Sequence, residues 1–246
     1  CRFASKIPLN PIGCGFEAHI KFYNMTEEEI VEIQKTWNID LVKKELENIF
    51  NNNSEIDLLS VLKSNSFLFY ELFTRKYGIQ PIFHEVSFGN NYRCDFAWLN
   101  DNSDGPEWVL VEIEKPNMQL FTKKNEPTQY LNHAIEQVRS WERYFDENPH
   151  EKRKIFGAVA RFRYILVAGS KKEWQEENHA KWRIHHNKNS NIEIHSSDIL
   201  LRPLRTFVEH PEEFWSFAEH PYTQAPSQLQ PFWQEYDYMD YWRKII

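Results

Sequence analysis

The amino-acid sequence predicts an α/β fold, in which a central sheet is flanked by helices. Apolar residues recur at helical spacing in the first third of the chain, and three strand-like runs, a further helix and a further strand follow. The chain has 246 residues, of which 15% are aromatic and only 7 are glycine. This composition favours packed structure over disorder and suffices for one sizeable core with extensions.

The first predicted elements are helical. Thr26 and Glu29 form a capping box, in which the threonine hydroxyl accepts from a backbone amide of the first turn and the glutamate reaches back. A second helix is expected at residues 39–50, and the polar run 51–54 then breaks the pattern and predicts a linker. We therefore expect residues 1–53 to form a separate helical or regulatory region.

The central part of the chain supplies the predicted sheet. Apolar residues continue at helical spacing through residues 55–77, with an interruption near residues 63–65. The elements expected after this point are strands at 83–88, 92–99 and 108–114, a helix that Thr128 caps and that runs to 146, and a strand at 164–168.

Acidic residues interrupt the second and third predicted strands. Glu112 and Glu114 lie two positions apart in an apolar run, so their side chains leave the same face of a strand. Asp95 interrupts the preceding strand, and turn residues at 100–106 predict that the two strands form an antiparallel hairpin. A divalent cation shared by the three acids would offset the cost of burying them, whereas ion pairs with Lys or Arg are the alternative.

Four motifs occur in an order that resembles a known nuclease superfamily. They are Asp95 in Arg-Cys-Asp-Phe, Val-Glu-Ile-Glu-Lys-Pro at 111–116, His-Ala-Ile-Glu-Gln-Val at 133–138, and Ile-Glu-Ile-His-Ser-Ser-Asp-Ile-Leu at 192–200. Through them the region from about 56 to 208 resembles the PD-(D/E)XK nucleases, and within these the Shedu family of bacterial anti-phage defence proteins. The resemblance implies an α/β PD-(D/E)XK restriction-endonuclease-like core at residues 54–210, with a mixed central sheet flanked by helices.

This resemblance implies a metal-dependent DNA endonuclease that hydrolyses phosphodiester bonds. Asp95 and Glu112 would bind Mg²⁺, or Mn²⁺ as a substitute, and Glu114 would be a third ligand or the base that orients water. Glu114 stands where the family pattern has lysine. Lys115, one place later, is either re-aimed into the site by a bulge or solvated on the opposite face. Gln137 would point at the site, and a core glutamine bonded to backbone is the alternative.

The charge of the chain is unevenly distributed. A net charge of −7 argues against a protein that coats nucleic acid through bulk positive charge, but residues 150–172 carry +6 with histidine neutral. Arg161 and Arg163 alternate in this segment and share a face, which suits contacts to a phosphate backbone as well as an ordinary solvated surface. On an earlier helix, Glu71 is a further potential metal ligand, although an ion pair with Arg75 would also explain it.

Residues 211–246 form a tail that is dense in aromatic side chains. Stacking on bases is one use of such residues, but the surrounding acids favour packing on the domain or on another subunit. Because the family resemblance implies an oligomer, we expect a homo-oligomer in which the tail contributes to subunit contact.

The remaining features concern location and alternative functions. The chain lacks a long apolar run and a secretory signal pattern, and its three cysteines fit neither a disulfide framework nor a zinc site, so a protein of the cytoplasm that is not in the membrane is expected. Two other functions remain open. One is a catalytically degenerate nuclease-fold module that binds nucleic acid or protein, and the other is a glycosidase with two carboxylates.

Overall fold

The computed structural model describes residues 27–246 of the chain. Its strands are β1 (Phe83–Phe88), β2 (Tyr92–Asn102), β3 (Gly105–Ile113), β4 (Arg161–Val167) and β5 (Ile192–His195). Its α-helices are α1 (Glu27–Thr36), α2 (Ile39–Asn52), α3 (Glu55–Ser64), α4 (Gln129–Glu147), α5 (Pro149–Phe156), α6 (Lys171–Trp174), α7 (Glu177–Asn189), α8 (Arg202–Glu209), α9 (Trp215–Ala218), α10 (Leu229–Glu235) and α11 (Asp237–Trp242). Short 3₁₀ helices lie at Ser66–Leu72, Ser197–Leu201, Pro211–Phe214 and Pro226–Gln228.

The sheet is mixed and has the strand order β1-β2-β3-β4-β5. The first three strands are antiparallel neighbours, and β4 and β5 run parallel to β3. This arrangement confirms the predicted α/β class with a mixed central sheet flanked by helices. The prediction missed β5, which has four residues, and the helices α5 and α7.

Each face of the sheet is covered by its own apolar core. On one face the buried core includes α4, and on the other it includes α2, α3, the 3₁₀ helix Ser66–Leu72 and α8. We call these the α4-side core and the α3-side core. Representative members are Phe88, Trp108, Leu110, Trp141 and Phe145 on the α4 side, and Phe69, Phe96, Trp98, Val111 and Ile165 on the α3 side.

The amino-terminal helices are joined closely to the sheet domain. Helix α2 buries Val42, Leu46 and Ile49 in the α3-side core. At the predicted linker, Asn53 adopts a left-handed conformation that ends α2, and the Ser54 hydroxyl caps α3. Residues 51–54, where a linker was expected, therefore form a tight turn between two packed helices. The predicted capping box at Thr26 lies outside the described residues.

The carboxy-terminal aromatic residues pack within the chain. Phe214 and Phe217 belong to the α3-side core, whereas Trp233 and Tyr236 belong to the α4-side core. These contacts account for the buried part of the tail without a second subunit. None of the helices within residues 27–246 has the length and apolar character needed to cross a bilayer.

Candidate active site

A cleft of about 680 Å³ opens between α4 and the loop that joins β1 to β2. We call it the acidic cleft. It is lined by Ser87, Gly89, Asn90, Asn91, Tyr92, Arg93, Asp95, Glu112, His133, Glu136, Gln137, Ser140 and Trp141. Gly89 has a φ of 57°, which allows the chain to reverse sharply between the two strands at the rim of the cleft.

Asp95 and Glu112, the acid pair, come together because β2 and β3 form the predicted antiparallel hairpin. The register that pairs Phe96 with Val111 places Asp95 opposite Glu112. Both side chains are buried, with relative exposures of 9% and 8%. Asp95 accepts a hydrogen bond through Oδ2 from the backbone amide of Ile113 at 2.8 Å. The acid pair is thus held by the backbone of the sheet and not by a flexible loop.

Glu112 is only partly satisfied. Its Oε1 accepts a hydrogen bond from Nε2 of Gln137, but its Oε2 is buried without a partner among residues 27–246. Burial raises the pKa of Glu112 well above its usual range, and the charges of Asp95 and Glu114 raise it further. Buried polar atoms are seldom left unpaired, so the free oxygen indicates a missing partner that carries positive charge or donates a proton.

Asp95 has the same electrostatic problem. Burial raises its pKa to about 6, and the hydrogen bond from the Ile113 amide opposes this rise. Arg93, which also lines the acidic cleft, lowers the pKa of both members of the acid pair through its charge. Its side chain is 57% exposed and lies 3.7 Å from Glu85, so it does not neutralise the acid pair.

The residues present fit a hard divalent cation. Mg²⁺ is commonly bound through one or two carboxylates while several water molecules complete its octahedral shell. Asp95 and Glu112 supply two carboxylates, and Oε2 of Glu112 is available. Within residues 27–246, however, no group of three His, Cys, Asp or Glu side chains is arranged around one metal position. The expected three-carboxylate metal site with Glu114 as third ligand is therefore not formed in this conformation.

Glu114 and Lys115 follow directly after β3, and neither lines the acidic cleft. The backbone amide of Glu114 donates to the carbonyl of Val167 at 2.9 Å, which prolongs the pairing with β4. Burial raises the pKa of Glu114 to about 7, with further contributions from the charges of Glu55 and Asp95, while Lys115 opposes the rise. Lys115 itself is exposed.

Glu55 is an acidic neighbour that the sequence analysis did not single out. It lies in the first turn of α3, and its charge raises the pKa values of Asp95, Glu112 and Glu114. An acid in the first turn of a helix is common because it interacts favourably with the helix dipole, so its type and position gave no functional signal.

Two predictions about helix residues have different outcomes. Gln137 does reach the acidic cleft, and its side chain bonds to Glu112 and not to the backbone. The predicted ion pair between Glu71 and Arg75 was wrong, because Arg75 pairs with Asp101 instead. The charge of Glu71 affects Tyr70 and Lys76, and it is not among the influences on the acid pair.

The structure does not bring Arg161 and Arg163 to the acidic cleft. Both lie at the start of β4, whereas Glu112 lies near the end of the parallel neighbour β3 and Asp95 lies beside it on β2. Arg161 pairs with Glu107 at 2.6 Å and with Asp104 at 2.8 Å. Arg163 makes two hydrogen bonds of 2.7 Å to Glu193 and is only 15% exposed. Since these guanidinium groups have carboxylate partners in the protein, ion pairing within the fold accounts for them.

Comparison with known proteins supports a family assignment. No curated protein sequence matches the chain. Among solved structures, the restriction endonuclease FokI matches with a TM-score of 0.36 and 14% sequence identity. The match covers 92% of this chain and 34% of the FokI chain, so this chain spans about a third of the length of FokI. The family described as Shedu protein SduA, C-terminal, matches residues 52–201, more than half of the chain. The chain therefore belongs to the Shedu family.

Proposed function

We propose that this protein is a metal-dependent DNA endonuclease of anti-phage defence, and that it uses Mg²⁺, with Mn²⁺ as a substitute. The observation that carries the proposal is the acid pair in an open cleft, where Oε2 of Glu112 is buried beside Asp95 with no partner from the described part of the chain. Membership of the Shedu family supports the defence role. The proposal includes a homo-oligomeric enzyme of the cytoplasm.

The acid pair would hold the cation. A bound Mg²⁺ would lower the pKa of its water and offset negative charge on the scissile phosphate. Gln137 donates to Oε1 of Glu112 and so leaves Oε2 directed to the ligand position. In this role Gln137 fixes the orientation of the carboxylate, as polar neighbours of metal ligands generally do.

Glu114 and Lys115 would assist proton transfer beside the acid pair. With a pKa of about 7, the Glu114 carboxyl can accept or release a proton near neutral pH, and because it does not line the acidic cleft we assign it proton exchange with the site through solvent. Lys115 lowers that pKa through its charge, and this is the supporting role that we assign to it. Arg93 at the cleft wall would attract the phosphate backbone.

A cleavage assay on the full chain tests the proposal. Supercoiled plasmid is incubated with the wild type, Asp95→Ala and Glu112→Ala, with Mg²⁺ or Mn²⁺ and in parallel with EDTA. We expect wild-type cutting that EDTA abolishes, and a loss of at least about a thousandfold in either variant, because each removes one of two carboxylates for the cation. Asp104→Ala is the matched control, since Asp104 lies exposed at the turn of the same hairpin.

Each other outcome has a defined meaning. Persistent absence of cutting by the wild type with both metals would favour the degenerate binding module. Unimpaired cutting by both cleft variants would refute the assigned centre. Circular dichroism spectra of the variants must match the wild type, so that loss of folding is not mistaken for loss of chemistry.

A further inference from the structure

A second cleft, of about 570 Å³, lies beyond the carboxyl ends of β4 and β5. Its walls come from α6, α7 and the start of α8, and we call it the basic cleft. Four cationic side chains line it, namely Lys171, Arg183, Lys188 and Arg202. The outer carboxyl ends of parallel strands are a common location for ligand sites in α/β proteins.

The four cationic side chains of the basic cleft have no ion-pair partner in the part of the chain that the structure describes. None of the lining residues is acidic, and within residues 27–246 none of the four cationic side chains forms an ion pair. Two carboxylates lie at the edge of the cleft and have other partners. Asp198 accepts from the backbone amide of Lys171, and Glu193 binds Arg163 and lies 3.5 Å from Nε2 of His195. In a chain of net charge −7, four unpaired cations in one concavity are an unusual concentration.

Arg183 is the most constrained of these cations. Its guanidinium lies over the ring of the buried Trp174, 5.0 Å from the ring centroid. Burial lowers the pKa of Arg183 from its usual value, and the charge of Arg202 lowers it further. Two guanidinium groups that repel each other in a partly desolvated cleft would be stabilised by an anion between them, and the planar fork of arginine suits phosphate oxygens.

The surface between the two clefts favours an extended ligand. A groove of about 450 Å³ runs between α4 and α7 and shares His133 and Glu136 with the acidic cleft. Arg139 and, from α7, Trp182 also line it. The next residue of α7, Arg183, belongs to the basic cleft. Helix α7 therefore has the groove on one side and the basic cleft on the other.

We propose that the basic cleft binds the phosphate backbone of the nucleic-acid substrate at a position apart from the acid pair. This inference rests on the proposed nuclease function. The side chains of Arg183 and Arg202 would contact phosphate oxygens, and Lys171 and Lys188 would add longer-range attraction. The contacts would hold the duplex without reading its sequence, because they involve phosphate and not base edges.

The test is a binding measurement without cleavage. Fluorescence anisotropy of a labelled DNA duplex of about 30 base pairs, a length that spans about three helical turns, is followed in EDTA at several salt concentrations. The variant Arg183→Gln/Arg202→Gln should bind the duplex about tenfold more weakly. The slope of log Kd against log salt concentration should fall by about 1.8, which is about 0.9 for each phosphate that is no longer neutralised. The control is Lys181→Gln/Arg205→Gln, which removes the same charge from the same two helices at exposed positions outside the basic cleft.

A second variant guards against a folding defect. Arg183 covers the buried Trp174, so replacing Arg183 could disturb folding. The variant Lys188→Gln/Arg202→Gln keeps Arg183 and changes only exposed side chains. It should show weaker binding of the same kind. Unchanged duplex binding in both cleft variants, or an equal loss in the control, would overturn the inference.

Two further results separate the possible ligands and functions. If pyrophosphate or an acidic peptide binds wild type but not the cleft variants, while duplex binding is unchanged, the site serves that ligand and the backbone assignment fails. If the wild type binds duplex through the basic cleft but never cuts, the proposed nuclease function fails and this inference stands.

Discussion

Asp95 and Asp101 lie on the same strand, β2, and are almost equally buried, with relative exposures of 9% and 8%. Their surroundings differ. Asp101 pairs with Arg75 and accepts hydrogen bonds from Tyr236 and Gln80, whereas Asp95 accepts from the backbone amide of Ile113. Asp101 is a satisfied structural acid, and Asp95 is an acid that still needs positive charge.

The same contrast separates two arginines. Arg163 donates from Nε and Nη2 to the two carboxylate oxygens of Glu193, while Arg183 lies over Trp174 with Arg202 nearby and no acidic residue lining the basic cleft. Burial and residue type are alike within each pair, and the partners differ. Charged groups that the fold leaves unmatched are therefore the better indicator of ligand sites in this protein.

The largest expected effect on stability concerns Asp101, the structural acid of the two aspartates on β2. Asp101→Ala should lower the free energy of unfolding by about 3 kcal/mol, because it leaves Arg75, Tyr236 and Gln80 without their shared acceptor. Asp95→Asn should instead raise the stability of the metal-free protein at pH 7.5, since it removes an unpaired buried charge. Urea denaturation in EDTA measures both values, and destabilisation of similar size in the two variants would remove the distinction.

A smaller effect is expected from pH. The folded-state pKa values of Asp95 and Glu114 are raised to about 6 and about 7. The folded protein therefore retains protons that the unfolded chain releases above about pH 4, so the contribution of these groups to stability falls as pH rises through the window from 4 to 7. Between pH 4.5 and 7.5 we expect a loss on the order of 2 kcal/mol in EDTA.

Two comparisons check that part of this pH effect comes from the acid pair, through Asp95. The double variant Asp95→Asn/Glu112→Gln should show a flatter pH dependence of the melting temperature. Saturating Mg²⁺ should restore stability to the wild type at pH 7.5, because ligand binding to the folded state is added to the free energy of folding, and it should not do so in the variant. An identical pH profile in both proteins would contradict the assignment.

The smallest predicted effect concerns Gln137, whose side chain donates a hydrogen bond to Glu112. Gln137→Ala should reduce Mg²⁺-dependent cleavage about tenfold, or ~1.4 kcal/mol, because the carboxylate loses the group that orients it. Raising the Mg²⁺ concentration should recover part of the activity. Gln129→Ala is the control, because Gln129 is an exposed glutamine of the same helix outside the acidic cleft, and equal losses in both variants would argue against a specific role for Gln137.

Much of the sheet could be predicted from sequence because its strands are apolar and bounded by turn residues. The same pattern predicted the hairpin that brings Asp95 near Glu112, whereas the exact register came from the structure, in which Asn102 pairs with Gly105. The approach of Gln137 was expected from the resemblance, and the structure adds its bond to Glu112. Strand β5 has only four residues, and the polar helix α7 lacks a clear apolar period, so the wall of the basic cleft was not predicted.

Long-range charge pairing was the main feature that sequence did not predict. The partners of Arg163 and Arg75 are Glu193 and Asp101, which are distant in the chain and come close only through the packing of the sheet. The basic residues clustered at 150–172 therefore indicated a phosphate-binding surface there. Of the four cations that line the basic cleft, however, three lie after this segment in the chain. Local spacing cannot reveal which charges a fold will neutralise.

The strand order gives the two halves of the acidic cleft different folding times. The β2–β3 hairpin is closed by a two-residue turn, so Asp95 and Glu112 can meet within microseconds, while both are still hydrated. Gln137 and β4 are reached only after a long crossover connection closes, which is the slower event. We therefore expect the carboxylates to lose their water only late in folding, when α4 closes over the hairpin.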